Sequence, residues 1–325
     1  MKKSSFKILS AFIFLFSVFF SAAAENDGGT KNILCTTFPI YLFTKNITKG
    51  VKDVKVTLLI PPGTGCPHDY TVTPGDMRKL AAKNMILVMN GASLDDFFLK
   101  TVKKVNPKAV IIDSSGDIPL LSSDSTHKHP HHSHHSSSCN SCGDHGEETM
   151  KGRTGNPHLF ASPFTALKVV QNIGEGLEKA DSIHAAFYHR NMVEYMEKLR
   201  KLCRDFSIAA ESFRIRKIVT RHDIFDYLAS HLHLEIVAHI REGGGTSLNA
   251  REMLHIINKI KKAKAGVIFT EPQYSARSAE VIARECRIPF TELDPVANGP
   301  VNAPLDYYEK SMSRNLAAMR KVLMP

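Results

Sequence analysis

The 325-residue chain has no HExxH pair and no GxSxG elbow, so the motif grounds for a zinc hydrolase or a serine hydrolase are missing. Lysine and arginine outnumber the acids, 42 to 32, but no aromatic residues interleave them as in a nucleic-acid groove. No nucleic acid is expected as a partner, and a solvated basic surface explains the excess. The six cysteines lack a framework spacing: Cys35, Cys66, Cys203 and Cys286 are scattered, and only Cys139 and Cys142 form a CxxC. Their connectivity is therefore not readable. With 43% hydrophobic and 23% charged residues, the composition fits neither a disordered chain nor a membrane bundle. It fits one large or two medium globular domains.

Residues 1–24 are of another kind. Met1, Lys2, Lys3 and Lys7 form a positive start, Ile8 to Phe20 an apolar run broken only by Ser10 and Ser17, and Ser21-Ala22-Ala23-Ala24 a small-residue cleavage site. That is the layout of a secretory signal peptide. The run is shorter than the ~20 residues needed to cross hydrocarbon, so export with cleavage is expected rather than a membrane anchor. A lipid anchor would need a cysteine at the cleavage point, and the nearest, Cys35, lies eleven residues beyond Ala24. A soluble exported protein is the expectation. Loss of Lys2, Lys3 and Lys7 with the leader lowers the formal charge from +10 to +7.

From residue 31 the chain alternates. Strand-like runs recur as NILCTTF, VKVTLLI, MILVMN and AVIID, then KIVT, LEIVAHI, GVIFT and PFTEL. Helical patterns separate most of them, among them Met77 to Lys83, Leu94 to Val105, Arg251 to Lys262 and Ala276 to Cys286. Such alternation predicts parallel sheets covered by helices, an α/β fold. Thr73-Pro74 reads as the N-cap and first position of one helix, and Gly50 ends the helix that follows Pro39. Four strands precede and four follow a polar tract, so two α/β lobes are expected, over 25–162 and 213–325. Between them, 163–212 is the most helical part. From Ser182 it runs roughly thirty residues without glycine or proline, ~45 Å of helix. Phe187, Val193, Met196, Leu199, Leu202, Phe206 and Ile208 repeat there at three- and four-residue spacings. A helix of this length is expected to run along both lobes as a strut.

The polar tract, STHKHPHHSHHSSSCNSCGDHGEE at 125–148, holds His127, His129, His131, His132, His134, His135 and His145 beside the CxxC. Set in a loop of about 122–152 read as disordered, it offers many loose metal sites and no single defined one. Cys139 and Cys142 can supply thiolates when reduced or close a small disulfide in an oxidising compartment. Ligands in open parallel sheets sit beyond the carboxyl ends of the strands, and three other side chains fall there. His68 lies in PPGTGCPHDYTVTP, His222 two residues after KIVT, and Asp294 directly after PFTEL; a fourth, His158, follows the tract in GNPHLFASP. Three imidazoles and a carboxylate make a closed tetrahedral shell for Zn²⁺ and a poor one for Ca²⁺ or Mg²⁺. Asp69, Asp223 and Glu271 are candidates to orient these ligands. Placing His231 and His233 on one metal with His222 requires a break in the helix between them.

PHDYTVTPGDMRKLAAKNMILVMNG, NPHLFASP, RHDIFDYLA, IFTEPQYS and LDP, in that order, resemble the motifs of the zinc and manganese solute-binding proteins of ABC transporters, the ZnuA-like family. The resemblance covers essentially the whole chain after the leader. It implies two α/β lobes joined by one long rigid helix, metal bound in the cleft, and His68, His158, His222 and Asp294 as ligands. It also implies delivery of the metal, by a periplasmic monomer, to an ABC transporter permease in the inner membrane, with no enzymatic activity. Manganese-type relatives carry glutamate at the position of His222, so the histidine tilts the expectation to Zn²⁺ over Mn²⁺, as does imidazole softness. In zinc-type relatives the fourth position is filled by Asp294's counterpart, by water or by another carboxylate. The tract occupies the same loop in zinc-type relatives and is expected to gather zinc weakly near the cleft. Surface adhesion and zinc hydrolysis are the alternative functions.

Overall fold

A computed structural model describes residues 30–64, 67, 70–122, 155–241 and 248–324. The leader, Cys66, His68, Asp69, the seven tract histidines, Cys139 and Cys142 lie outside the described residues. In the first lobe, β1 (Lys31–Cys35), α1 (Phe38–Ile47), β2 (Val54–Leu58), α2 (Pro74–Leu80), β3 (Met85–Met89), α3 (Phe97–Val105) and β4 (Val110–Asp113) follow one another. The four strands form a parallel sheet in the order β2-β1-β3-β4, with Ile33 opposite both Val56 and Ile86. Two interlobe helices come next, α4 (Pro163–Ala180) and α5 (Ala185–Glu211). The second lobe runs β5 (Lys217–Thr220), α6 (Asp226–His231), β6 (Glu235–His239), α7 (Ala250–Ala263), β7 (Val267–Thr270), α8 (Arg277–Cys286), β8 (Phe290–Glu292) and α9 (Tyr307–Leu323). Its sheet, β6-β5-β7-β8, repeats the topology of the first.

Every predicted strand is present, and the reason is alternation on sheets buried from both sides. In the first lobe Ile33, Cys35, Ile86 and Val88 enter the central core, while Leu34, Met85, Leu87 and Met89 face a separate core under α2 and α3. In the second lobe Ile218, Val267 and Phe269 enter that same central core, while Val219, Val237 and Ile268 face α7 and α8. One continuous apolar core therefore joins the two lobes. Thr73 caps α2 in a full capping box with Asp76 as expected, whereas α1 is capped by Thr48, two residues before Gly50, which takes φ +72 in the turn that follows.

The long helix is α5, 27 residues, about 40 Å at 1.5 Å per residue. Its buried stripe corrects the apolar repeat read from the sequence. Phe187, Val193 and Ile208 are exposed, whereas Tyr188, Asn191, Met192, Tyr195, Leu199, Leu202, Cys203 and Phe206 are buried. The stripe includes residues with polar tips, and those tips are bonded. The Tyr188 hydroxyl donates to Asp181 at 2.8 Å, and Asn191 donates to the Ile47 and Lys49 carbonyls at the end of α1. Close packing against α4 needs Gly174, where a Cβ would overlap the Met192 side chain.

The lobes also touch directly. Phe43 of α1 packs edge-on against Tyr308 of α9 at 5.0 Å and beside Tyr195 of α5 at 6.2 Å. Tyr41, Lys45 and Asn46 donate to the carbonyls of Val301, Ala303 and Leu305, and Tyr308 donates to that of Phe160. Among the described residues no helix is long and apolar enough to cross a membrane.

Candidate metal centre

Sheet topology dictates where a ligand belongs. In each lobe the strand order reverses between the first strand and the third, opening a crevice at their carboxyl ends. In the second lobe that point lies between β5 and β7, and the loops leaving them carry His222 and Glu271. In the first it lies between β1 and β3, and Asn90, leaving β3, donates through Nδ2 to the Pro157 carbonyl at 3.0 Å. The first crevice thereby holds the backbone next to His158.

His158 is 3% exposed and introduces a short 3₁₀ turn, Leu159–Ala161. His222 introduces a similar turn, Asp223–Phe225, from an extended backbone at φ −146. The two imidazoles meet edge to face, centroids 5.3 Å apart at 83°. His158, His222 and Asp223 each present one donor atom within 4.8 Å of the others, the one such group among the described residues. Both rings line a cleft with Phe160, Ile224, Ala297 and Pro67, the residue before His68.

Each ring has a polar group at Nδ1. That of His222 stands 2.8 Å from Oε1 of Glu271, which is 1% exposed and accepts from Gln273 Nε2 on its other oxygen at 2.7 Å. The carboxylate thus faces the Nδ1 side of the His222 ring, which leaves Nε2 on the other side of it. The Nδ1 of His158 lies 2.9 Å from Asn156 Oδ1 and 3.6 Å from Asp223 Oδ1. Two imidazoles that can each offer Nε2 suit a borderline-soft divalent cation, and the groups behind them orient the rings.

Asp294 is not part of that close group. Its carboxylate accepts from the Val296 N–H at 2.8 Å, and its own N–H and carbonyl are clipped to Asn315 of α9. Burial pushes its carboxyl above the usual range, against the lowering effects of the Val296 and Ser311 hydrogen bonds and the Arg314 charge. His231, on α6, stacks on Phe164 at 4.7 Å with its Nδ1 against the Tyr227 carbonyl, apart from the paired imidazoles. Asn156, Gln273 and Asn90 were missed by the sequence reading. NPHLF and TEPQY contain the first two, but only the tertiary pairing shows what their amides hold.

Two parallel lobes sharing a core, a helix running along both and imidazoles in the cleft between them are the architecture of a rigid-helix solute-binding protein. The family model described as "Zinc-uptake complex component A periplasmic" (ZnuA) matches residues 33–322, and the chain belongs to that family. The chain is similar to the zinc-binding protein AdcA of Streptococcus pyogenes serotype M3 (strain ATCC BAA-595 / MGAS315), at 26% identity over 98% of this chain and 61% of AdcA. It therefore spans 61% of that relative's length. It is similar to the high-affinity zinc uptake system protein ZnuA of Bacillus subtilis (strain 168), at 27% identity over 93% of this chain and 90% of that protein. A solved structure of a zinc-bound ZnuA deletion mutant shares the fold, with a TM-score of 0.69 at 21% identity, covering 91% of this chain and 99% of the other.

Proposed function

We propose that the chain captures Zn²⁺ in the interlobe cleft outside the cytoplasm and delivers it to an ABC transporter permease. The observation that carries this is the His158–His222 pair, Nδ1 of each ring engaged from behind, at the mouth between two locked lobes. His68, His158 and His222 supply the imidazoles. Pro67 in the cleft wall supports His68 as the third. Asp294 is the fourth donor we propose; one of its oxygens accepts the Val296 N–H, and a carboxylate keeps a second oxygen for a cation. Three imidazoles favour zinc over manganese, and zinc also stands higher in the general affinity order. The relatives' names, zinc-binding protein AdcA and zinc uptake protein ZnuA, point the same way. The tract at 125–148 serves as a weaker, multi-ion reservoir.

Metal titration of the chain without residues 1–24 tests the reading. His158→Ala combined with His222→Ala is expected to weaken the tightest zinc by at least about 100-fold, since each ligand holds a substantial part of a structural-type binding energy. Asp294→Asn, which keeps one oxygen but loses the charge, is expected to weaken the tightest zinc by less than the double histidine change. Deletion of 124–148 is expected to lower the stoichiometry and spare the tightest site. Loss of that site on deletion of the tract, with the double variant unaffected, would sink the assignment.

A further inference from the structure

We infer that Asn156 is a positioning residue of the metal site: it fixes the tautomer of His158 and ties that imidazole to the lobe that carries His222. The inference rests on the proposed role of the two imidazoles as ligands. Asn156 is 0% exposed, and its backbone is committed on both sides, N–H to the Leu121 carbonyl at 2.8 Å and carbonyl to the Tyr227 hydroxyl at 2.7 Å. Its side chain meets two backbone groups of fixed character. Oδ1 accepts the His158 N–H at 3.0 Å, and Nδ2 donates to the Asp223 carbonyl at 2.6 Å. A backbone N–H only donates and a backbone carbonyl only accepts, so these contacts settle which end of the amide is oxygen.

The same oxygen stands 2.9 Å from Nδ1 of His158. It has only lone pairs to offer, so Nδ1 carries the proton and Nε2 the lone pair that a cation needs. The Asp223 carboxylate, 3.6 Å from Nδ1, is too distant for a hydrogen bond. The amide, not the acid, selects the tautomer. The Nδ2 bond acts on spacing. Asn156 is two residues before His158, and Asp223 directly follows His222, so one side chain links the two ligand-bearing segments, one from each side of the cleft.

Asn156→Ala and Asn156→Asp test this, with Asn191→Ala as a control for loss of a buried amide, the one that joins α5 to the end of α1. In metal-free protein, two-bond ¹H–¹⁵N NMR is expected to show the Nε2 lone-pair tautomer of His158 in the unsubstituted chain and in N156D, which keeps the acceptor, and a mixture in N156A. Zinc affinity by chelator competition is expected to fall 10- to 100-fold in N156A, the range for removal of a ligand's outer partner, and by less in N156D. N191A should lower the urea midpoint and move neither tautomer nor affinity. An unchanged tautomer with affinity within about twofold in N156A, or an equal affinity loss in N191A, overturns the inference. Should N156A not fold, the wrong tautomer in N156D does so. Because the tautomer is read without metal, failure of the ligand assignment shows separately, as zinc binding that survives the combined His158→Ala and His222→Ala change.

Discussion

Asp95, fully buried in the turn that leaves β3, accepts the N–H groups of Asn90 at 2.7 Å and Gly91 at 3.0 Å. That turn passes through left-handed backbone at Gly91, Ala92 and Ser93 (φ +76, +51 and +66), and at Gly91 a Cβ would overlap the Asp113 carboxylate. Asn90, held by Asp95, in turn holds Pro157 beside His158. Burial pushes the Asp95 carboxyl up to about 7, against hydrogen bonds from Thr36, Asn90 and Gly91 that lower it and with the Asp113 charge raising it further. The unfolded chain ionises near the ordinary value of ~3.9. Between about pH 4 and pH 7 the unfolded state thus binds fewer protons than the folded one, and stability falls as pH rises through that window. A shift of this size is worth on the order of 4 kcal/mol. In Asp95→Asn the slope disappears, while the amide turns an N–H₂ toward a donor and costs roughly 1–3 kcal/mol where the acid is protonated. Urea midpoints at pH 5 and pH 8 check both parts. The unsubstituted chain should lose more stability between the two pH values than the variant; equal losses would contradict the assignment.

At the scale of elements, α5 separates what sequence pattern carries from what it does not. All eight strands were legible because each is a short β-branched or apolar run closed by turn residues, and His222 stood out because it follows such a run. The phase of α5 was not legible from apolar letters. Tyr188, Asn191 and Tyr195 are buried through bonds to partners on other elements, while Phe187 and Val193 lie just outside the stripe and face solvent. Asn156 was illegible for the same reason, its partner Asp223 lying 67 residues away. A pair of substitutions exposes the difference. Phe187→Ser is expected to change stability by no more than about 0.5 kcal/mol, as for exposed sites. Tyr188→Phe, which deletes one oxygen, leaves the buried Asp181 carboxylate a donor short and is expected to cost roughly 1–3 kcal/mol. Chemical denaturation ranks the two; a larger loss at Phe187 would mean that the helix is rotated from the phase described.

At the scale of the molecule, the same core serves both lobes, and α1 is strapped to the segment that leads into α9. The Phe38 ring lies so close to Gly299 that a Cβ there would overlap it, and the Phe38 and Tyr307 rings meet edge to face at 5.6 Å. Hinged closure would have to break the Tyr41, Lys45 and Asn46 bonds to Val301, Ala303 and Leu305 and expose the Phe43–Tyr308 contact to water. Capture by a lock of this kind leaves only loops free to respond, so specificity must reside in the ligand set and in the groups behind it. Zinc addition is accordingly expected to leave the small-angle scattering curve superimposable on that of the metal-free chain, with backbone differences limited to about 1 Å in the lobes, as in other pre-organised binders. Gly299→Val inserts a branched side chain against the Phe38 ring, an overpacking that costs about 1–3 kcal/mol. In that variant hydrogen exchange should quicken along α1 and the 299–308 segment, and zinc should restore part of the protection by favouring the closed pairing of His158 with His222. A rotation of tens of degrees between metal-free and zinc-bound forms of the unsubstituted chain would show that the strap opens in normal function. The control of affinity would then have to be sought in the hinge rather than in the imidazoles.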